Sequence, residues 1–302
     1  MKGVVFLAKN SSYSTLKGRI IKYFFMINGL FVIAILAGIF YLLLTESLPS
    51  FTEISLKEFF TTAIWRPTGY QAQNFGILSL VVSTIMVTIG ALFFSIPLGI
   101  TCAAYLSEIA SNRVREVLKP VIEILAGIPS VVIGFIGIVL LGPLIADFFN
   151  LPNGLNAVNG SLLLGIMALP TIISISEDAI SSVPTEYRNA SLALGANEWQ
   201  TLIKVTIPGA LSGIIASVML GMGRAIGETM AVLMATGNAP AFPESFFSSV
   251  RTMTATIAVE LGEVAYNTTH YYTLFAIGLV LFIMTFFVNL IADIVLHKYE
   301  ET

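Results

Sequence analysis

Six long apolar runs constrain the fold of this chain more than any other feature of its sequence. They cover Ile20–Leu44, Ile77–Tyr105, Pro120–Phe149, Ser161–Ile180, Ala210–Thr236 and Thr273–Leu296. About 20 helical residues suffice to cross the hydrocarbon core of a bilayer, so each run is long enough for one span. The runs are continuous rather than alternating, which favours helices over a barrel. The sequence therefore predicts an all-α, polytopic membrane protein with six transmembrane helices.

Charge supports this prediction and gives the orientation. Only 11% of the 302 residues are charged, whereas a soluble domain carries about 25%. Most Lys and Arg residues lie in segments on the same side as the N-terminus, while Lys57, Arg66 and Arg251 lie on the other side. Because positive residues concentrate on the inner side of a membrane, we expect both termini in the cytoplasm.

The sequence lacks the residues that several classes of protein require. The only cysteine is Cys102, and His270 and His297 lie far from any Cys or carboxylate cluster, so neither a disulfide nor a metal site is expected. No GxxxxGK[ST] stretch is present to bind ATP. No Ser-His-Asp, HExxH or paired-carboxylate pattern indicates an enzyme, and a net charge of −3 gives no sign of a nucleic-acid partner.

The sequence divides into three predicted parts. Residues 1–74 hold an N-terminal cytoplasmic tail, the first transmembrane helix and an outer segment. Residues 75–297 form the transmembrane core, which includes a cytoplasmic loop at 182–208. Residues 298–302 form a short cytoplasmic tail.

Two prolines fall inside apolar runs, Pro129 in the third and Pro170 in the fourth. Proline removes a backbone donor and clashes with the preceding turn, and neighbouring helices can satisfy the freed carbonyl. We therefore predict a kink at each of the two positions.

An inner loop of unusual length follows the fourth run. Residues 182–210 read SVPTEYRNASLALGANEWQTLIKVTIPGA and mix polar with apolar positions. We expect two short amphipathic helices broken at Gly195, with Pro208 at the start of the fifth span. A reversal between spans needs only a few residues, so an ordered pair of helices predicts a docking surface for a cytoplasmic partner.

This loop resembles the coupling motif of binding-protein-dependent ABC importer permeases. The motif has an acid-Ala-Ala triplet, three residues, Gly, nine residues and Ile-x-Leu-Pro. Here Asn189-Ala190-Ser191, Gly195 and Val205-Thr206-Ile207-Pro208 keep that spacing, with Asn189 in place of the acid. The resemblance implies contact with an ATPase through Glu186, Arg188, Asn189, Ala190, Gly195, Trp199 and Pro208.

A second stretch narrows the resemblance. GRAIGETMAVLMATGN at 223–238, with AGIPSVVIG upstream and HYYTLFAIGLVLFIMT downstream, is similar to phosphate importer permeases of the PstC type. The PstA type shares RAIGET but not the MAVLM that follows. The likeness extends from about residue 70 to residue 297. It implies a type I ABC importer permease fold in the cytoplasmic (inner) membrane of a prokaryote, with inorganic phosphate as the substrate.

The resemblance also implies an assembly. A PstA-like permease would pair with this chain, and both would be surrounded by membrane lipid. Two ATPase subunits would bind ATP and Mg, so that this chain needs no cofactor of its own. An external phosphate-binding protein would dock on the long outer segments, Thr45–Asn74 and Gly237–His270.

Arg224 and Glu228 are the only charged residues of the fifth run, Ala210–Thr236. On one continuous helix they lie one turn apart, on a face of small residues. Gly223 and Gly227 on this run also fit a small-xxx-small packing motif. The sequence thus predicts that two charges and a close helix contact share one face.

Two interpretations of this face stay open. Arg224 and Glu228 could form an ion pair that fixes helix packing. Alternatively, Arg224 provides an anion station on a translocation route, because its planar donors suit phosphate oxygens, and Ser217 and Thr229 add hydroxyls. Glu228 would then accept a hydrogen bond from the hydroxyl of hydrogen phosphate and repel an unprotonated anion such as sulfate.

Two other kinds of transporter remain as alternatives. One is an ABC permease for another oxyanion, such as sulfate or molybdate, which uptake competition would distinguish. The other is a gradient-driven secondary transporter that uses Arg224 and Glu228 for proton coupling. That alternative leaves the loop at 182–208 without a role.

Overall fold

The computed structural model describes residues 11–69 and 73–300, and most of them are helical. The helices are α1 (Ser11–Ser47), α2 (Leu56–Thr61), α3 (Leu78–Ala104), α4 (Asn112–Gly127), α5 (Ser130–Ile136), α6 (Gly142–Phe149), α7 (Ala157–Ser181), α8 (Thr185–Ala193), α9 (Glu198–Thr201), α10 (Ile207–Gly209), α11 (Leu211–Gly227), α12 (Met230–Ala235), α13 (Met253–Glu260) and α14 (Thr269–Glu300). Strands β1 (Trp65–Arg66) and β2 (Asn74–Phe75) form a small antiparallel hairpin. Residues 1–10 and 301–302, which belong to the predicted tails, lie outside the described residues.

Five stretches of the described chain are long and apolar enough to cross a membrane. They are Gly18–Thr52, Leu78–Ile109, Ser130–Phe149, Ala157–Ser181 and Thr269–Ile294. A further pair, Glu198–Gly209 and Leu211–Gly227, meets the same criterion together but is bent by 68°. With the bent pair counted as one span, the number agrees with the six predicted from the apolar runs.

The centre of the molecule is built from α3, α7 and α11. Helix α7 packs along both of the others, and small residues let the helices approach closely. A Cβ added at Gly99 of α3 would lie 2.6 Å from Ile172 Cγ2 of α7, well inside the normal contact distance of about 3.5–4.0 Å. Helix α14 packs on the outside of α11 and also contacts α1.

The third span is shorter than its apolar run. The prediction of a span over Pro120–Phe149 with a kink at Pro129 is wrong, because α4 ends at Gly127 and a new helix, α5, begins at Ser130. Pro129 itself is extended, with ψ 138°. Proline disfavours a helical conformation in the residue before it, so Pro129 separates two helices rather than bending one.

Pro170 behaves differently. It lies in the interior of α7, which continues unbroken from Ala157 to Ser181. The side chain is buried against the rest of the helix bundle. The helix therefore accommodates Pro170 without a break, and the kink predicted at this position stays a prediction.

The long outer segment Gly237–His270 is only partly a surface loop. Within it, the stretch Val250–Thr256 is almost entirely buried, including the first turn of α13. The expectation that this whole segment offers a docking surface is therefore wrong for its middle part. Exposed positions remain on either side of the stretch, at 241–242, 244–247 and 261–263.

Candidate functional site

The fifth apolar run is broken in its second half. Helix α11 ends at Gly227, Glu228 is extended with φ −70° and ψ 132°, and α12 begins at Met230. The predicted continuous helix is therefore wrong. Gly227 costs about 1 kcal/mol relative to Ala within a helix, and the Glu228 side chain offers the backbone competing hydrogen bonds.

Both the side chain and the backbone carbonyl of Glu228 accept hydrogen bonds. Its Oε1 accepts hydrogen bonds from the backbone amides of Met230 at 3.1 Å and Ala231 at 3.3 Å. Its backbone carbonyl accepts a hydrogen bond from Thr254 Oγ1 at 2.9 Å. The carboxylate thus satisfies free amides at the start of α12, where a negative charge is favourable.

Arg224 lies in the last turn of α11 and is exposed. The predicted ion pair with Glu228 is not formed, since Glu228 leaves the helix and turns toward α12. Among the described residues, no ion pair or hydrogen bond of the Arg224 side chain is found. Its positive charge suits the C-terminal end of a helix, and its guanidinium donors remain free to bind an anion.

The two hydroxyl residues of the predicted pathway occupy different environments. Thr229 stands at the break and is half-buried, with Oγ1 3.4 Å from the carbonyl of Gly227. Ser217 is fully buried against α7, where its Oγ lies 2.7 Å from Ser176 Oγ. The structure therefore places Thr229 next to Glu228 at the break and Ser217 in the packing between two helices.

The close helix contact on α11 lies earlier than predicted. A Cβ at Gly213 would lie 2.3 Å from Ala179 Cβ, and one at Gly221 would lie 2.9 Å from Ile172 Cγ1. A Cβ at Gly227, by contrast, would meet nothing within 4 Å. The small-xxx-small contact thus follows Gly213, Ser217 and Gly221, which face α7.

The inner loop forms the predicted pair of short helices. Helix α8 is followed by Gly195 in the left-handed region, with φ +88°, and Asn197 begins α9 with a capping box completed by Gln200. Leu194 at the tip is 90% exposed. An exposed apolar tip on an ordered helix pair is suited to a groove on another protein.

The predicted coupling residues fall into two groups. Glu186, Asn189, Ala190, Trp199 and Pro208 are exposed. Arg188 instead points inward, where it forms an ion pair with Glu108 at 2.8 Å and donates to the carbonyl of Ile180 at 2.8 Å. Arg188 therefore holds α8 against the segment that follows α3 and against the end of α7, and its predicted contact with an ATPase stays a prediction.

A groove runs beside this helix pair, with a volume of about 430 Å³. Asn189, Leu192 and Trp199 line one side of it, and Glu108 and Ile109 line the other. The groove combines apolar and polar walls next to the exposed helix tip. It extends the candidate docking surface from the loop to the end of α3.

One ion cluster on the inner side escaped the sequence prediction. Glu177 of α7 is only 1% exposed and forms ion pairs with Arg115 and with Lys119, the latter at 3.1 Å. Both cations lie on α4, so the cluster fastens α4 to α7. The signal was present as an acidic pair near the end of the fourth apolar run, Glu177 and Asp178.

A second cluster lies on the outer side. Glu260 of α13 accepts from Trp65 Nε1 at 3.0 Å, forms an ion pair with Arg251 at 2.8 Å and contacts His270 Nε2 at 2.8 Å. It borders an open cavity of about 690 Å³ that Arg66 and Glu263 also line. Because its members are far apart in sequence, no local pattern could have predicted the cluster.

Metal-binding clusters are absent from the part of the chain that the structure describes. No group of three or more His, Cys, Asp and Glu side chains could hold an ion there.

Comparison with known proteins agrees with this arrangement. Residues 95–301 match the family described as "Binding-protein-dependent transport system inner membrane component". The chain is 43% identical over 233 residues to the probable ABC transporter permease protein YqgH of Bacillus subtilis, covering 77% of this chain and 75% of that protein. It is 31% identical over 291 residues to the phosphate transport system permease protein PstC of Mesorhizobium japonicum, covering 90% and 88%.

Solved structures show the same fold. A bacterial ABC transporter that imports the acidic polysaccharide alginate matches with a TM-score of 0.63 at 14% identity, over 95% of this chain and 99% of that chain. The MetNI methionine ABC transporter in an inward-facing form matches with a TM-score of 0.58 at 20% identity, over 74% and 97%. The architecture is that of type I ABC importer permeases.

Proposed function

Because the chain belongs to the family of binding-protein-dependent transport system inner-membrane components, we propose that it is the permease subunit of an ATP-driven importer of inorganic phosphate. Relatives named as phosphate transport permeases cover most of its length, which supports this substrate. The chain itself provides the route, and ATP hydrolysis takes place on separate subunits.

One observation carries the proposal. Arg224 is an exposed arginine without a partner side chain among the described residues, and it stands at a break in an apolar span. A charge in the membrane costs at least about 2.5–3.5 kcal/mol, so it marks a functional site by default. A guanidinium binds phosphate oxygens through two parallel donors. Arg224 is the anion station of this proposal.

Glu228 has a selective role beside it. Oε1 is held by the amides at the start of α12, which fixes the carboxylate near the end of α11. Oε2 of a carboxylate held in this way can accept a hydrogen bond from the hydroxyl of hydrogen phosphate. Sulfate has no proton to donate at neutral pH, so no hydrogen bond offsets its repulsion by the carboxylate, and it is disfavoured.

The exposed surfaces support the rest of the proposed assembly. The assembly holds two ATPase subunits, with ATP and Mg, and one of them docks on the α8–α9 pair and its groove. A sibling permease pairs with this chain, and an external phosphate-binding protein docks on the exposed parts of 45–69 and 237–270. The Lys and Arg distribution supports an orientation with both termini in the cytoplasm, and the proposed membrane is the cytoplasmic one.

The test uses the complete transporter in proteoliposomes. Arg224→Gln should lower phosphate uptake by about 10-fold to 100-fold, the worth of one charged hydrogen-bonding contact. Arg224→Lys keeps the charge but loses the paired donors and should fall between Gln and the wild type. Because the Glu228 carboxylate already accepts hydrogen bonds from amides of α12, Arg224→Gln leaves no new unpaired charge in this chain. Assembly of the transporter should therefore be normal.

Three outcomes would contradict the proposal. Phosphate uptake by Arg224→Gln at the wild-type rate would remove the anion station. Stronger competition by sulfate or molybdate than by unlabelled phosphate would assign another oxyanion. Uptake driven by an ion gradient without ATP would indicate a secondary transporter.

A further inference from the structure

Helix α13 reaches from the outer surface to the break in the fifth span. Its first turn is buried, with Met253, Ala255 and Thr256 fully enclosed. Its last residue, Glu260, is the centre of the outer cluster with Trp65, Arg251 and His270. One short helix therefore contacts both the outer surface and the candidate site.

Hydroxyl groups make the contact at the buried end. Thr254 Oγ1 donates to the backbone carbonyl of Glu228 at 2.9 Å, and Thr252 Oγ1 lies 3.0 Å from Thr254 Oγ1. Since the Thr254 proton is committed to Glu228, Thr252 is the donor in the second bond. Hydrogen bonds in such a chain strengthen one another in a low-dielectric interior.

The start of α13 is itself fixed to the body of the protein. The Met253 amide donates to Thr84 Oγ1 of α3 at 3.0 Å, and Thr252 Oγ1 accepts from the Ala255 amide at 3.3 Å. Thr254 is only 7% exposed. Its hydroxyl therefore acts from a fixed position on Glu228, one of the two residues between α11 and α12.

We propose that Thr254 is a positioning residue for the anion station. The Thr254 hydroxyl holds Glu228 out of the helix, so that the Glu228 carboxylate stays at the start of α12 and Arg224 remains free. This inference rests on the proposed function. If the hydrogen bond is lost, the carbonyl of Glu228 is no longer held toward α13. The peptide can then rotate back toward a helical conformation, one turn from Arg224, where the two charges can pair and mask each other.

The experiment compares three variants in the complete transporter. Thr254→Val keeps the shape of the side chain and removes the hydroxyl, whereas Thr254→Ser keeps the hydroxyl. Thr256→Val is the matched control, because Thr256 is equally buried on the same helix and its hydroxyl donates only to the carbonyl of Thr252 in that helix at 2.9 Å. Each variant is measured by hydrogen exchange at the amides of Met230 and Ala231 and by phosphate uptake.

In Thr254→Val, the two amides should exchange about fivefold faster, the change expected for one lost hydrogen bond. Maximal uptake should fall by a similar factor, while the half-saturating concentration of loaded binding protein stays the same. Thr254→Ser and Thr256→Val should match the wild type in both measurements. Rescue by Ser shows that the hydroxyl, rather than packing alone, is required.

Two results would overturn the inference. Unchanged exchange at Met230 and Ala231 in Thr254→Val would show that the bond does not position Glu228. Equal defects in Thr254→Val and Thr256→Val would assign the effect to the packing of α13. The hydrogen-exchange measurement does not depend on the substrate. A wild-type complex that moves no phosphate would therefore refute the proposed function, and hydrogen exchange would still decide the role of Thr254.

Discussion

The contact between α11 and α7 gives the sharpest test of the fold, through Gly213→Ala. The new Cβ would lie 2.3 Å from Ala179 Cβ, so the helices must separate by about 1 Å or more to reach normal contact. Overpacking of this kind costs about 1–3 kcal/mol. Separation also stretches the 2.7 Å contact between Ser176 and Ser217, which costs about 1 kcal/mol more.

A smaller effect acts in the opposite direction. Alanine is about 1 kcal/mol better than glycine inside a helix. The net loss in the free energy of unfolding for Gly213→Ala is therefore about 2 kcal/mol. Gly227→Ala on the same helix meets nothing within 4 Å, so it should be neutral or slightly stabilising.

The assay is reversible unfolding of the purified chain in a mild detergent, followed by loss of helical circular dichroism. Comparison of the two alanine variants separates the cost of overpacking from the gain in helix propensity, which acts in the same direction at both positions. Equal stability of Gly213→Ala and Gly227→Ala would refute the close contact between α11 and α7.

Two further predictions concern the inner side. Gly195→Leu should leave membrane insertion intact but uncouple ATP hydrolysis from uptake, because the left-handed φ of +88° costs about 1–2 kcal/mol for a side chain with a Cβ. Gly195→Asn is the control, since Asn tolerates that conformation better and should retain coupling. A fully coupled Leu variant would contradict the assignment of the loop to the ATPase contact. Glu177→Ala should lower the free energy of unfolding by about 2 kcal/mol, less than for a fully buried pair because Arg115 and Lys119 are partly exposed. Asp178→Asn, at a side chain that is 75% exposed, should change the free energy of unfolding by less than about 0.5 kcal/mol. Equal effects of the two changes in thermal unfolding would contradict the role of Glu177 in fastening α4 to α7.

The spans and the inner helix pair could be predicted because their causes are local. A long apolar run must be helical in lipid, since its backbone groups have no other partners. Gly195 and the capping residues Asn197 and Gln200 define the helix pair within a few positions of the sequence. The third span was less predictable, since apolar residues before Pro129 belong to a separate helix with an exposed apolar face at Val117, Val121 and Ile124.

The break at Glu228 could not be predicted from the same kind of pattern. Glu and Arg four residues apart fit a continuous helix, and Gly227 weakens such a helix by only about 1 kcal/mol. The break depends on the Thr254 hydroxyl, which is 26 positions further along the chain. The Glu260 cluster has the same origin, because its Trp65 contact spans 195 positions. Tertiary partners decide both sites, and a single sequence does not display them.

Helix α1 has a consequence for how this chain tolerates change. Every position from residue 18 to residue 42 is exposed around the full circumference of the helix, and its main contact is with α14, through pairs such as Phe40 and Phe282. Away from that contact these side chains are exposed, and the surrounding medium requires only apolar character. Leucine, isoleucine, valine and phenylalanine are therefore interchangeable at those positions, so this part of the span is constrained in hydropathy and free in identity, whereas one added methyl group disturbs α11.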